Sequence, residues 1–170
     1  MTGMFGPVPI LNQAAGQQPR RYLFMKGMIV LAQYTNVFVQ QIAANANAVF
    51  SETPVTGSSC IVHRDGSGII TLRGITNQCR ARYLVQFNGN IAIPTGGTVG
   101  PISIAIAVEG EALGSATASV TPAAVGDEFN VAAAAYIDVP RGCCVTIAIK
   151  NVNTQTIELQ NASVIVTRVC

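Results

Sequence analysis

The chain has no tryptophan, a single histidine and few charges, with Asp, Glu, Lys and Arg making up 11% of its 170 residues, against about 25% in ordinary soluble domains. Each shortage excludes something. A Ser-His-Asp or Cys-His set could be built only around His63, with Cys60 and Cys79 as the available nucleophiles, and nothing in the sequence brings them into one exposed cleft. The chain is therefore read as non-enzymatic. The five cysteines form an odd set without Cys-x-x-Cys spacing, and Cys60 lies three residues before His63 with no second ligand pair nearby. This argues against both a disulfide framework and zinc, so no metal and no cofactor is expected, and the thiols read as buried and reduced. Long apolar runs are also missing. Tyr22 to Leu31 is broken by Lys26 and Gly27, far short of the roughly 20 apolar residues of a membrane span. Arg20 and Arg21 precede that run as in a signal peptide, but a proline-bearing segment comes before them and no small-x-small cleavage site follows promptly. A net charge of +2 from ten bases and eight acids is too slight to steer nucleic acid.

What is present is apolar. Hydrophobic residues reach 49%, and a domain of this length buries roughly 70% of its unfolded surface. With so little charge, much of the exterior is expected to be covered by like subunits or a larger assembly, since charge depletion marks interfaces. The small positive excess sits at the N-terminus: residues 1–49 hold Arg20, Arg21 and Lys26 and no acid, whereas the remainder has seven bases against eight acids.

Residues 1–20 are rich in Gly, Pro, Gln and Ala, a composition that resists regular structure. Between 22 and 44 helix and strand are not separable. We divide the chain into an N-terminal arm, residues 1–45, and a body, residues 46–170. In the body, short β-branched runs alternate with turn signals such as Asp65-Gly66, Asn88-Gly89-Asn90 and Pro140-Arg141-Gly142. The strands expected are 47–50, 59–63, 68–73, 81–87, 102–108, 116–120, 128–139, 144–150, 156–159 and 162–169. Thr53-Pro54 reads as a turn. Ile102, Ile104, Ile106 and Val108 share one strand face. In the run from Phe129 to Val139 the outward residues Asn130, Ala132, Ala134, Tyr136 and Asp138 are small in the middle, which permits close approach of a neighbouring sheet. Val164 and Val166 oppose Ile165 and Val169, so the last strand is apolar on both sides, as suits an oligomer axis. About ten antiparallel strands without a reliable helix predict an all-β, two-sheet jelly-roll sandwich.

Several stretches carry a resemblance: Gly68-Ile69-Ile70-Thr71-Leu72, Arg82 to Gly89, Ile104 to Gly110, and Leu159 to Val166. In this order the region from Phe50 onward resembles the trimeric jelly rolls of the tumour necrosis factor and complement-globular-head superfamily. It is similar in particular to the C-terminal domains of bacterial collagen-like exosporium glycoproteins. Cys60 to Gly68, Thr71 to Arg82 and Pro140 to Cys144 look like proteins of phages and prophages of gut Firmicutes. No Gly-x-y collagen tract precedes the domain, so a globular head with an anchoring arm is expected rather than a stalked fibre. The resemblance implies a homotrimeric virion protein, most simply a capsid decoration protein on the capsid surface. It would be made in the bacterial host cytoplasm and partnered by itself and the major capsid protein. The alternative it implies is a receptor- or glycan-binding knob.

Arg20, Arg21, Tyr22 and Phe24 are candidates for docking the arm on capsid protein, because aromatic and Arg side chains make good anchors. Arg73, Arg80, Arg82, Tyr136, Val164 and Val166 are candidates for the trimer interface or for pairing between subunits. The three arginines suit forked contacts to Asp65, Asp138 or Glu158. His63-Arg64-Asp65 mimics a kinase catalytic-loop tripeptide but lacks every companion motif, and reads as a turn. Glu109 and Glu111 flank Gly110 and read as hairpin-tip charges.

Overall fold

The computed structural model describes residues 30–169. Eleven strands form two antiparallel sheets, with no helix among the described residues. They are β1 (Leu31–Asn36), β2 (Gln40–Ile42), β3 (Glu52–Val55), β4 (Ile61–His63), β5 (Ile70–Arg73), β6 (Arg80–Ala92), β7 (Ile102–Val108), β8 (Glu111–Val120), β9 (Phe129–Pro140), β10 (Cys144–Asn151) and β11 (Ile157–Arg168). One sheet runs β3-β1-β11-β6-β9, with β2 also paired to β11, and the other runs β4-β5-β10-β7-β8. The all-β sandwich expected from the punctuated apolar runs is the fold observed.

The core lies between the sheets and follows from period-two alternation. Tyr83, Val85 and Phe87 of β6 and Val164 and Val166 of β11 meet Ile102, Ile104 and Ile106 of β7 and Ile147 and Ile149 of β10 in one buried cluster. Tyr83 is the largest of these fully buried side chains. Its hydroxyl donates to the Arg73 carbonyl at 2.6 Å, and burial, reinforced by the charge on Cys60, pushes its pKa up to about 12.

The folded body begins earlier than the boundary at 45/46. β1 lies between β3 and β11, pairing Leu31 with Thr167 through to Asn36 with Ala162, and it places Ala32 and Tyr34 in the core. Its alternating pattern is too short to be distinguished from helix by sequence alone. Thr53-Pro54 lies within β3, where proline is tolerated because the strand is at a sheet edge. The run 47–50 forms only isolated bridges at Asn47 and Phe50.

Asn88-Gly89-Asn90, expected to turn, instead runs straight through β6. Here glycine is needed for space: a Cβ on Gly89 would lie 2.8 Å from Leu159 Cδ1 and 3.4 Å from the Ala162 Cα. Opposite it β11 bulges. The register with β6 shifts between Gln160 and Ser163, and Asn161 takes φ 52°. The bulge switches the buried positions from Ile157 and Leu159 to Ala162, Val164 and Val166. This parity change is why 156–159 and 162–169 read as two strands.

Candidate self-association face

The outward face of the six-stranded sheet is organised in rows by the register. Leu31, Thr167, Leu84 and Tyr136 form one row across β1, β11, β6 and β9; Gln33, Ile165, Gln86 and Ala134 form the next; Thr35, Ser163, Asn88 and Ala132 form a third. None of these twelve side chains is charged. Because Ala132, Ala134 and Ser163 are small while Gln33, Gln86 and Ile165 are large, the face sinks into a hollow of about 480 Å³. Beside it stands Tyr136, 68% exposed. A second hollow of about 410 Å³, lined by Leu84, Leu113, Ser115 and Ala135 among others, lies on the other side of Tyr136 towards β8.

Charge begins at one end of the face. Arg82 Nε and Nη2 donate to the two Asp138 carboxylate oxygens at 2.6 and 2.8 Å, and Arg80 Nη1 lies 3.3 Å from Asp138 Oδ2. The hydrogen bond from Arg82, with the charges of Arg82 and Arg80, holds the Asp138 pKa below its ordinary value. The arginine–Asp138 pairing expected from sequence is therefore formed, within one chain and across β6 and β9.

The strand order on this face decides the architecture. The chain folds as a tumour necrosis factor-like jelly roll. Eiger TNF from S. frugiperda superposes with a TM-score of 0.63 at 13% identity, covering 84% of this chain and 93% of that one. The globular domain of zebrafish complement 1qA gives 0.56 at 8% identity, covering 82% and 94%. Murine APRIL gives 0.59 at 9% identity, covering 83% and 99%. No family model matches the chain, and no curated protein matches it by sequence.

The jelly roll distributes the remaining candidates. Arg20, Arg21, Tyr22 and Phe24 lie outside the described residues. Tyr136, Arg80 and Arg82 are on the outward face, whereas Val164 and Val166 are fully buried between the sheets. The part of β11 that reaches the face is Ser163, Ile165 and Thr167, on the other side of the alternation. Arg73 ends β5 in the opposite sheet, so the three arginines that look like one cluster in sequence are divided between two sheets.

The His63 side chain is fully enclosed, its ring 4.4 Å from that of Tyr34, and Nε2 donates to the Ser67 carbonyl at 3.0 Å. Nδ1 has no hydrogen-bond partner. Cys60 Sγ accepts instead from Arg168 Nη1 at 3.4 Å, and Cys79 is exposed. His63 thus supports the core. Among the described residues no group of three or more His, Cys, Asp or Glu side chains is placed to hold a metal ion. Glu109 does more than carry charge at a tip: from φ 52° its carboxylate accepts from the Thr146 backbone N–H and hydroxyl, tethering the β7–β8 hairpin to β10.

Sequence reasoning found Ala132, Ala134 and Tyr136, which share one strand. It also placed Ile165 on the side of the last strand opposite Val164 and Val166, but it missed Gln33 and Gln86. These join the face only through pairings between distant strands, and no local signal announces them.

Proposed function

We propose that this protein is a self-assembling jelly-roll head, a homotrimer carried on a larger particle by the segment that precedes β1. The observation that supports this is the uncharged, hollowed outer face of the six-stranded sheet with Tyr136 projecting beside it. Depletion of charge over a broad face is the compositional mark of an interface core rather than of ordinary solvent-facing surface. A closed three-fold ring forms when the edge of one subunit meets the face of the next. The projecting Tyr136 of edge strand β9 suits the first role, and the hollow lined by β1, β11, β6 and the alanines of β9 suits the second. An exposed tyrosine entering a desolvated pocket is a typical anchor.

The setting we propose is the surface of a phage capsid, with the major capsid protein as partner. Support comes from the sequence resemblance to phage and prophage proteins and from the charge depletion. Arg20, Arg21, Tyr22 and Phe24 would grip the shell, and three linked attachments give avidity beyond that of any single one. A receptor- or glycan-binding knob is the second reading. It is supported by a neutral, hydroxyl- and amide-lined groove of about 400 Å³ formed by Gln41, Thr95, Gln155 and Thr156 with neighbouring residues.

Light scattering at micromolar concentration should give a trimer. Ala134→Arg, which places a charge in the hollow, should give a folded monomer by circular dichroism. A wild-type monomer would overturn the assembly. For the setting, purified virions should carry a copy number comparable to their three-fold positions, and removing residues 1–29 should abolish particle association. Retention by the truncated protein would sink the gripping arm. Few copies together with soluble binding to cells or glycans would favour the knob.

A further inference from the structure

The end of the sandwich where β5 and β9 finish carries a second, chemically different site. Arg73 and Cys144 are register partners on β5 and β10. Their neighbours Leu72 and Val145 turn inward, so Arg73 and Cys144 both stand on the outer surface of the five-stranded sheet, with side chains about 5 Å apart at Cβ. The Pro140-to-Cys143 turn and the loop after β5 are laced together. Gly74 N–H donates to the Cys143 carbonyl at 2.8 Å, Gly142 N–H to the Gly74 carbonyl at 3.0 Å and Arg141 N–H to the Cys79 carbonyl at 3.0 Å. The approach is so close that a Cβ on Gly74 would sit 2.0 Å from the Pro140 oxygen.

Between these segments lies a cleft of about 320 Å³ whose walls include Arg73, Ile75, Thr76, Arg141, Cys143 and Cys144, with no acidic residue among them. Cys143 and Cys144 are both exposed, unbridged thiols. Arg73 makes one long contact, 3.5 Å to the Ser59 carbonyl. Two arginines thus line the same cleft as two adjacent thiols and the half-exposed apolar side chain of Ile75.

We propose that this cleft is a thiol–disulfide exchange site selective for small, negatively charged disulfides, the class that includes carboxylate-bearing peptide disulfides. Arg73 and Arg141 attract and orient the carboxylates, and Ile75 packs against the apolar part of the molecule. The thiolate of Cys143 or Cys144 attacks one sulfur of the incoming disulfide. A new protein–ligand S–S bond forms as the ligand's own S–S bond breaks, and the departing thiolate takes up a proton equivalent to the one the cysteine gave to solvent. The protein thiol is oxidised and the released half of the ligand is reduced. The result is a reversible cap on the end of the body where β5 and β9 finish.

The test compares two probes on the full chain: dithiobis(nitrobenzoate), a dianionic aromatic disulfide, and dithiodipyridine, a neutral one. Quenched time points with peptide mass spectrometry assign a rate to each cysteine, and mercaptoethanol, a neutral free thiol, sets the reference ratio. At low salt the charged-to-neutral rate ratio at Cys143 and Cys144 should exceed the reference by about tenfold, as for ligands drawn into a cleft of one charge sign. It should collapse at about 1 M salt, where the screening length is about 3 Å. Arg73→Gln with Arg141→Gln should bring the charged-to-neutral ratio at Cys143 and Cys144 down to the reference value, a readout that cancels any change in thiolate fraction common to both probes. A ratio equal to the reference, an excess insensitive to salt, or failure of both probes to react would each overturn the proposal. The salt series on the wild-type chain decides it even if the double variant does not fold.

Discussion

Asn151 shows how one amide can close a loop-rich end of a sandwich. It is fully buried. Its Nδ2 donates to the carbonyls of Ile42, Ala43 and Gln155 at 2.9, 3.0 and 2.9 Å, while its Oδ1 accepts from the Asn153 backbone and side chain. Asn153 in turn exchanges two hydrogen bonds with the backbone of Ser103. A single side chain thus joins the end of β2, the β10–β11 connection and, through Asn153, the start of β7. In Asn151→Ala the Ala43 carbonyl keeps the Ala46 N–H at 3.0 Å, but the Ile42 and Gln155 carbonyls lose the amide; at about 1–3 kcal/mol for each unmet group, urea unfolding should show a loss of about 3 kcal/mol. A loss below about 0.5 kcal/mol, the range of ordinary surface substitutions, would show that water replaces the amide. In sequence this residue reads only as part of an Asn-rich turn, because an asparagine in a solvated loop and one that ties three segments together look alike until the chain is folded.

Between elements, the pairing of β6 with β9 is pinned by the contact of Arg82 and Arg80 with Asp138. The folded pKa of Asp138 lies below its ordinary 3.8. Its contribution to stability is therefore fully present above that value and is lost as pH falls through the folded pKa. The stability difference between the wild type and Asp138→Asn should be constant near neutrality and shrink only in that acid range. Arg82→Gln should move the carboxyl titration, followed by NMR, back up towards 3.8. An unmoved midpoint would show that the pair is not formed in solution. Much of the element order was legible: β7, β9 and β10 stand within one or two residues of their expected limits, because clean alternation bounded by Gly and Pro admits few other readings. The failures were physical in kind. Gly89 was read for its dihedral freedom when the fold uses its missing side chain. Asn161 breaks the parity of β11 through a bulge that only pairing with β6 reveals. The hollow on the outer face was legible in the alanines of β9 and in the second apolar side of β11 at Ile165, but not in Gln33 or Gln86, which join it only when β1 and β6 pair with β11.

For the molecule as a whole, β11 occupies the interior of its sheet, with β1 on one flank and β6 on the other. The hydrogen bond from Gln33 to Ser163 spans 130 positions of chain. On a ribosome, β1 can pair with β3 and β6 with β9 as they emerge, but these two halves of the sheet are joined only when β11 appears between them. The six-stranded sheet therefore closes only once β11 has emerged, and the contact that closes it is among the longest-range in the body. Refolding from urea should be slow, in the millisecond-to-second range of non-local β topologies. A chain stopped before Ile157 should remain unfolded by circular dichroism rather than lose one strand. Microsecond refolding, or a native-like truncated chain, would show that the six-stranded sheet can close without it. The nascent body is thus open to aggregation until β11 emerges, because the strand at the middle of its larger sheet is the last of the eleven to be made.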